Sequence, residues 1–322
     1  MTKRELFDGG PRVGAVGLGC MGMSWAYSPA ERDSARSVAV IRSAVARGVT
    51  LIDTADVYGP FHNEELVGEA VAGLPPADRE QVVVATKGGL VVTDRRSGRV
   101  PGPNGRPEHI RRACEESLRR LRVEAIDLYQ LHRVDPDVPL AETWGAMAEL
   151  VQRGDVRAVG MSEVDVDQLD EATAIHPVAT VQSELSIWTR DPLDRVLPWC
   201  ADHGAGFIPF SPLGRGFLTG TLVPDAFDRR DFRAHNPRFT DEAMTANATI
   251  LDAVRTVAAR HGATPGQIAL AWALAQGDRV VPIPGTTRPE RVAENAAAAH
   301  LVLEPEDRAL LDAVPATFGA RY

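Results

Sequence analysis

Short apolar runs alternate with segments of helical period from Val16 to Ala298, and few folds accept that order. Val16-Gly17-Leu18-Gly19 reads as a first strand. A helix follows over Asp33 to Arg47, with Val38, Ile41 and Val45 at helical spacing, Asp33 or Ser34 as N-cap and Gly48 ending it. The same unit then recurs. Leu51-Ile52 precedes a helix over Glu64 to Ala72, and Val82 to Lys87 precedes one over Pro107 to Leu121. Ile126 to His132 leads to Leu140 to Gln152, and Ala158 to Ser162 leads to Val166 to Ile175. Ala179 to Gln182 precedes Leu193 to His203. Phe207 to Ser211 precedes helices over Asn247 to Arg260 and Pro265 to Ala275, and Val280 to Pro284 precedes Pro289 to Ala298.

Near-continuous apolar strands separated by helices require a parallel sheet with both faces covered, an α/β architecture. Eight such units are the signature of a closed (β/α)₈, or TIM, barrel, here as a single domain over residues 1–322. An open doubly wound sheet is the other architecture that takes eight strands. Gly17-Leu18-Gly19-Cys20-Met21-Gly22 has the glycine spacing of a dinucleotide fingerprint. It runs into Met23-Ser24-Trp25-Ala26-Tyr27 rather than a helix, which argues against the open sheet. Asp8-Gly9-Gly10-Pro11, flanked by Leu6-Phe7 and Val13, predicts a β-hairpin ahead of the barrel. The connections from Gly88 to Arg106 and from Leu213 to Thr245 are long, follow strands, and belong on the barrel's functional rim.

A formal net charge of -9 disfavours nucleic acid and anionic membrane as partners. Cys20, Cys114 and Cys200 have neither a disulfide nor a zinc spacing, so no metal is expected and a reducing compartment fits. The start carries no signal-peptide pattern, and no stretch is apolar enough to span a bilayer. The expectation is a cytoplasmic protein acting on a small molecule.

Polar residues end the strands. Leu51-Ile52-Asp53-Thr54-Ala55-Asp56-Val57-Tyr58-Gly59 puts a carboxylate at a strand's end and a phenol on the loop beyond, while Lys87 and His132 close two later strands. In a closed barrel these ends converge on one mouth. Four ionisable groups there are costly unless paired and used. Lys87 beside Tyr58 is expected to lower the phenol's pKa, Asp53 to hold Lys87, and His132 to bond a substrate oxygen. The phenol can then give a proton to a carbonyl becoming an alkoxide. A structural Asp53–Lys87 ion pair with a core histidine is the plainer alternative.

With these four in this order, the chain resembles the aldo-keto reductases over essentially its whole length. Asp53, Tyr58, Lys87 and His132 fall on that family's catalytic tetrad. Gly160-Met161-Ser162-Glu163, Ser211-Pro212-Leu213-Gly214-Arg215-Gly216 and Ile283-Pro284-Gly285-Thr286-Thr287-Arg288 are further matches. Trp188-Thr189-Arg190-Asp191-Pro192 and Gly216-Phe217-Leu218-Thr219-Gly220 look closest to the branch of pyridoxal reductases and auxin-induced-type proteins.

The resemblance implies NADPH extended across the barrel mouth and reduction of aldehydes or ketones to alcohols. It implies that Ser162, Glu163 and Gln182 hold the carboxamide and that the nicotinamide stacks on Phe210. Ser211, Pro212, Leu213 and Gly216 would follow the pyrophosphate, and Glu294 and Asn295 would meet the adenine. Gly285, Thr286, Thr287, Arg288 and Arg291 surround a helix start with Pro289 in its first turn, an anion site in its own right. Two arginines there suit a 2′-phosphate, hence NADPH over NADH. An Arg291–Glu294 surface pair is the plainer reading.

Three residues depart from the family pattern. Glu163 stands where many relatives carry Asn, Leu185 replaces an aromatic, and Gly285 replaces a Lys. Met23, Trp25, Tyr27 and Trp188 are candidate walls of the substrate pocket, and the segment Ala316 to Tyr322 would make only a small lid. Two other functions use the same residues: a barrel lyase forming a Schiff base on Lys87, and a non-catalytic NADPH-sensing subunit.

Overall fold

The computed structural model describes residues 1–27, 29–92, 102–222 and 227–321. Within the two long connections, residues 93–101 and 223–226 therefore lie outside the described residues. Strands β1 (Lys3–Glu5) and β2 (Arg12–Gly14) form the expected antiparallel hairpin. The barrel strands are β3 (Leu18–Gly19), β4 (Leu51–Asp53) and β5 (Val83–Gly88), then, after the small hairpin of β6 (Leu90–Val91) with β7 (Gly102–Pro103), β8 (Leu128–Leu131), β9 (Val159–Ser162), β10 (Thr180–Glu184) and β11 (Gly206–Phe210). Seven of them form one parallel sheet in sequence order from β3 to β11.

The eighth position is filled by Val280 to Gly285, which closes the barrel without becoming a regular strand. On the β11 side, Phe207 N–H bonds the Arg279 carbonyl at 3.0 Å, Val281 N–H the Phe207 carbonyl at 2.9 Å and Ile283 N–H the Pro209 carbonyl at 3.0 Å. On the other side, the carbonyls of Pro282 and Pro284 accept from Gly17 and Gly19 at 2.9 and 3.3 Å. Pro282 and Pro284 have no N–H to give, so the ladder is interrupted although the course of the chain is that of a strand. Helices of the predicted alternation cover the outside, and their limits agree with the sequence reading to within a few residues. Asp33 caps the first of them by accepting from the Arg36 N–H at 2.8 Å. A further helix, Pro305–Asp312, was not anticipated.

Alternation along the strands sorts the side chains. Register pairs Asp53 with Ala85, Lys87 with Gln130, Gln130 with Gly160, Gly160 with Thr180, and Gln182 with Ile208. Directly paired residues share a face, as do residues two apart on one strand. Asp53, Lys87, His132, Ser162, Gln182 and Phe210 therefore all turn into the barrel at its C-terminal end. Below them the interior is filled by Leu51, Val83, Ala85, Leu128, Ile208, Val281 and Ile283. Ile52, Val84, Tyr129, Met161, Val181 and Phe207 face outward to the helices.

The hairpin stoppers the opposite end: Leu6 and Val13, both fully buried, join the interior cluster. The approach is so close that a Cβ on Gly206 would stand 1.8 Å from the Leu6 carbonyl oxygen. We predict that Gly206→Ala unseats the hairpin and costs about 1–3 kcal/mol, as overpacking does. The measurement is a chemical denaturation midpoint; an unchanged midpoint would show that the hairpin does not carry the barrel floor.

Candidate active site

The loop leaving β4 is built to bring a phenol back over the strand ends. Thr54 N–H bonds the Ala85 carbonyl at 2.8 Å and Asp56 N–H the Lys87 carbonyl at 3.1 Å, so β5 acts as its template. Asn63 fastens it from behind, donating to the Cys20 carbonyl (2.9 Å) and Ser24 Oγ (2.7 Å) and accepting from Thr54 Oγ1 (2.7 Å). Tyr58 thereby reaches the mouth beside Lys87.

Lys87 Nζ is the hub. It donates to Asp53 Oδ1 and Oδ2 at 2.7 and 2.8 Å and to the Thr54 carbonyl at 2.9 Å, with Tyr58 Oη at 3.4 Å. Lys87 and Asp53 are 1% and 2% exposed, so the pair is cut off from bulk water. Burial pulls the ammonium down, but Asp53 and Tyr58 hold Lys87 above its ordinary value. Burial also lifts Asp53 above the usual carboxylate range, against the pull of Lys87 and Gln182. Three acceptors around Nζ keep the proton on lysine.

The Tyr58 phenol differs from expectation. Lys87 does pull its pKa down, but burial prevails and the phenol lies above its ordinary value of 10.0. It is a protonated donor at neutral pH. His132 stands edge-on to it, ring centroids 6.0 Å apart. Burial, followed by the nearby Lys87 and Arg133 cations, pushes the imidazole well below 6.5, so His132 is neutral. Its Nδ1 is buried with no protein partner among the described residues.

The other strand ends join this rim. Gln182 Nε2 donates to Asp53 Oδ2 at 2.8 Å. Ser162 Oγ accepts from Arg133 Nη1 at 3.1 Å, and the same nitrogen bonds the His132 carbonyl at 2.6 Å. Phe210 is half-buried at the end of β11. Glu163 faces away from Ser162: its Oε1 accepts from Glu184 N–H at 2.9 Å and its Oε2 lies 2.7 Å from Arg321. Ser211, Leu213 and Gly216 line the turn after β11, half-buried, with Pro212 beneath. Gly285, Thr286, Thr287 and Arg288 sit across the mouth at the start of helix Pro289–Ala297, where Thr286 Oγ1 accepts from the Arg288 N–H at 3.1 Å. Arg291 makes no ion pair among the described residues, and Glu294 instead accepts from Thr264 Oγ1 at 2.6 Å. Asn295 is buried beside it.

The four candidate pocket walls divide. Trp25 stands 5.7 Å from the Tyr58 ring, and Tyr27 packs edge-on against Phe232. Met23 is buried in the main core, and Trp188 stacks inward on Phe217 at 4.4 Å. Sequence reasoning overlooked Arg133, which follows His132 directly, and Glu184, which lies two residues beyond Gln182. Glu184 is fully buried and paired with Arg215 and Arg321, with Arg238 at 3.6 Å. A charged residue just past a strand end was the available signal.

A closed eight-unit barrel thus gathers a phenol, a lysine, a carboxylate and a neutral imidazole at its C-terminal mouth, the end where such barrels carry their chemistry. The chain belongs to the aldo/keto reductase family, whose model matches residues 15–316. It is 42% identical to the Glycine max protein "Probable aldo-keto reductase 1" over 317 residues, 97% of this chain and 89% of the relative. Among solved structures it resembles a glycerol dehydrogenase from Gluconobacter oxydans (TM-score 0.86, 32% identity, covering 96% and 94% of the two chains). It also resembles an aldo/keto reductase from Klebsiella pneumoniae solved with NADP and acetate (TM-score 0.70, 30% identity, 97% and 95%). No helix among the described residues is long and apolar enough to cross a membrane.

Truncating Asp53 would strand the Lys87 ammonium in a dry interior. We predict that Asp53→Ala loses about 3–5 kcal/mol, the cost of breaking a buried pair. Asp53→Leu/Lys87→Met should recover most of that loss in denaturation measurements. A double variant no more stable than the single one would contradict the hub.

Proposed function

We propose that the protein is an NADPH-dependent reductase of aldehydes and ketones, with the barrel as one catalytic domain and Tyr58 as proton donor. The observation that carries this reading is the Lys87 ammonium held between Asp53 and Tyr58. A carbonyl entering beside Tyr58 finds a protonated phenol on one side and a neutral imidazole on the other. Both suit an oxygen that gains negative charge.

The donor set fits the cofactor. Phe210 offers a half-buried ring for stacking. Ser162 lies on the same inner face as Gln182. Arg288 and Arg291 flank a helix N-terminus, where backbone dipoles and guanidinium forks favour a phosphate. When bound, NADPH supplies the hydride. Ser162 would orient the carboxamide, and Gln182 would share that work while its Nε2 stays on Asp53. Glu163 would contribute through the backbone, because Arg321 and Glu184 occupy its carboxylate. Ser211, Pro212, Leu213 and Gly216 would follow the pyrophosphate, Gly285, Thr286 and Thr287 the 2′-phosphate, and Glu294 and Asn295 the adenine. Trp25 and Tyr27 are the walls best placed to meet a substrate.

The Schiff-base alternative needs a neutral Lys87 amine, whereas three acceptors and a raised pKa keep it an ammonium. A sensing subunit would not need a protonated phenol held beside the Lys87 ammonium.

Tyr58→Phe should lower carbonyl turnover by about 10²–10⁴ while leaving NADPH binding near normal; full turnover would remove the phenol from the mechanism. Because the acid form acts and its pKa is raised, kcat/KM for reduction should fall only as pH climbs past 10.0. His132 should give no limb near 6.5. A decline beginning well below 10.0 would mean that burial does not govern the phenol. Arg291→Ala should cut the preference for NADPH over NADH by about tenfold, consistent with the loss of one charge-assisted contact. An unchanged ratio of the two dissociation constants would place the 2′-phosphate elsewhere.

A further inference from the structure

The C-terminal segment from Thr317 to Arg321 is fastened to the barrel mouth almost wholly by polar contacts. Asn247 clamps the backbone of Phe318, its Nδ2 donating to the carbonyl at 3.0 Å and its Oδ1 accepting from the N–H at 2.9 Å. Thr317 Oγ1 donates to the Trp188 carbonyl. The Arg321 carbonyl accepts from Asn236 Nδ2 at 2.9 Å and from Arg215 Nη1 at 3.1 Å. Phe318, the one large apolar side chain of the segment, is 49% exposed. Little apolar surface holds the segment down, so it can open without disturbing the core.

Arg321 ends this strap at a junction. Its guanidinium lies 2.7 Å from Glu163 Oε2, donates to Glu184 Oε2 at 2.8 Å, and stands 5.7 Å from the Phe210 ring centroid. Glu163 directly follows Ser162, and Glu184 lies two residues past Gln182, so one side chain bridges the ends of β9 and β10. Glu163 adopts a left-handed conformation, φ 57°, which a glutamate resists and asparagine tolerates. Its carboxylate, unlike an asparagine amide, pairs with Arg321 as an ion. Arg215, which also bonds Glu184 at 2.9 Å, belongs to the turn Gly214–Thr219 on the proposed pyrophosphate path. Strand ends, turn and strap thus meet at Arg321.

We propose that Arg321 is a positioning residue that latches this strap across the cofactor cleft, and that opening of the Arg321–Glu163/Glu184 junction sets the rate of NADPH release. This rests on the functional reading above. Both partners of the Arg321–Glu163 arm are partly exposed, so salt should loosen that arm, while the arm to buried Glu184 is screened far less. Loss of Arg321 leaves Glu184 with Arg215 and Arg238, so the fold keeps its buried carboxylate paired.

The test is stopped-flow release of NADPH, followed by nucleotide fluorescence, from the wild-type protein, Arg321→Ala, Arg321→Lys and Glu163→Gln. Arg321→Ala should release NADPH about tenfold faster than wild type. Arg321→Lys should fall between them, because an ammonium cannot fork across two carboxylates. Glu163→Gln should resemble Arg321→Ala. Added salt should speed release from the wild type but barely from Arg321→Ala. Amide hydrogen exchange over 317–321 should slow when NADPH is bound to the wild type and not when it is bound to Arg321→Ala. Equal release rates in all four proteins, or slower release from Arg321→Ala, would overturn the latch while leaving the reductase reading intact. Failure of the wild type to bind NADPH at all would overturn that reading and the latch with it.

Discussion

A charged lysine in a dry place is the constraint around which the mouth of this barrel is arranged. Removing an ammonium from water costs several kcal/mol unless every proton finds an acceptor. Lys87 finds both oxygens of Asp53 and the carbonyl of Thr54. To supply them, β4 must end in a carboxylate and the loop behind it must turn a backbone oxygen inward. The same turn carries Tyr58 round to the fourth side of the ammonium. The arrangement of Asp53, Lys87 and Tyr58 is therefore largely a by-product of satisfying one cation.

The surrounding polar groups tighten that arrangement. Gln182 fixes Oδ2 of Asp53, Asn63 ties the phenol loop to the turn from Cys20 to Ser24, and Arg133 fastens the end of β8 to Ser162. A second buried carboxylate, Glu184, repeats the logic with the signs reversed: one anion, ringed by arginines from three later stretches of chain. The two clusters share one rim. One sets the protonation of the acid–base groups. The other ties the turn after β11 and the C-terminal segment to the strand ends beside them.

Much of this could be read from the chain. Near-continuous apolar runs placed Asp53, Lys87 and His132 at strand ends, and a closed parallel barrel leaves such ends one place to converge. Val280 to Pro284 was legible as an eighth strand because it is a short apolar run in the β–α series, while its prolines forbid the regular ladder. The helix Pro305–Asp312 escaped notice because so short a run buries little beyond Asp307 and Leu311. The charge of Glu184 at a strand end was legible, but its arginine partners were not, since ion pairing between distant segments leaves no local period. Sequence reasoning gave the direction of the Tyr58 shift wrongly because it weighed the charge of Lys87 and had no measure of burial, which proves the larger effect. An aromatic after a strand does not declare which side it faces, hence the inward turn of Trp188.

If the rim formed by Asp53, Tyr58, Lys87 and His132 reduces a carbonyl, the fate of one hydrogen shows it. NADPH carrying deuterium on the transferring position of C4 should be consumed with an aldehyde or ketone, and the alcohol should bear that deuterium on its carbinol carbon. Heavy water should label only the exchangeable hydroxyl. Deuterium reaching the carbinol carbon from solvent, or a labelled cofactor left unconsumed across a panel of carbonyls, would contradict the account.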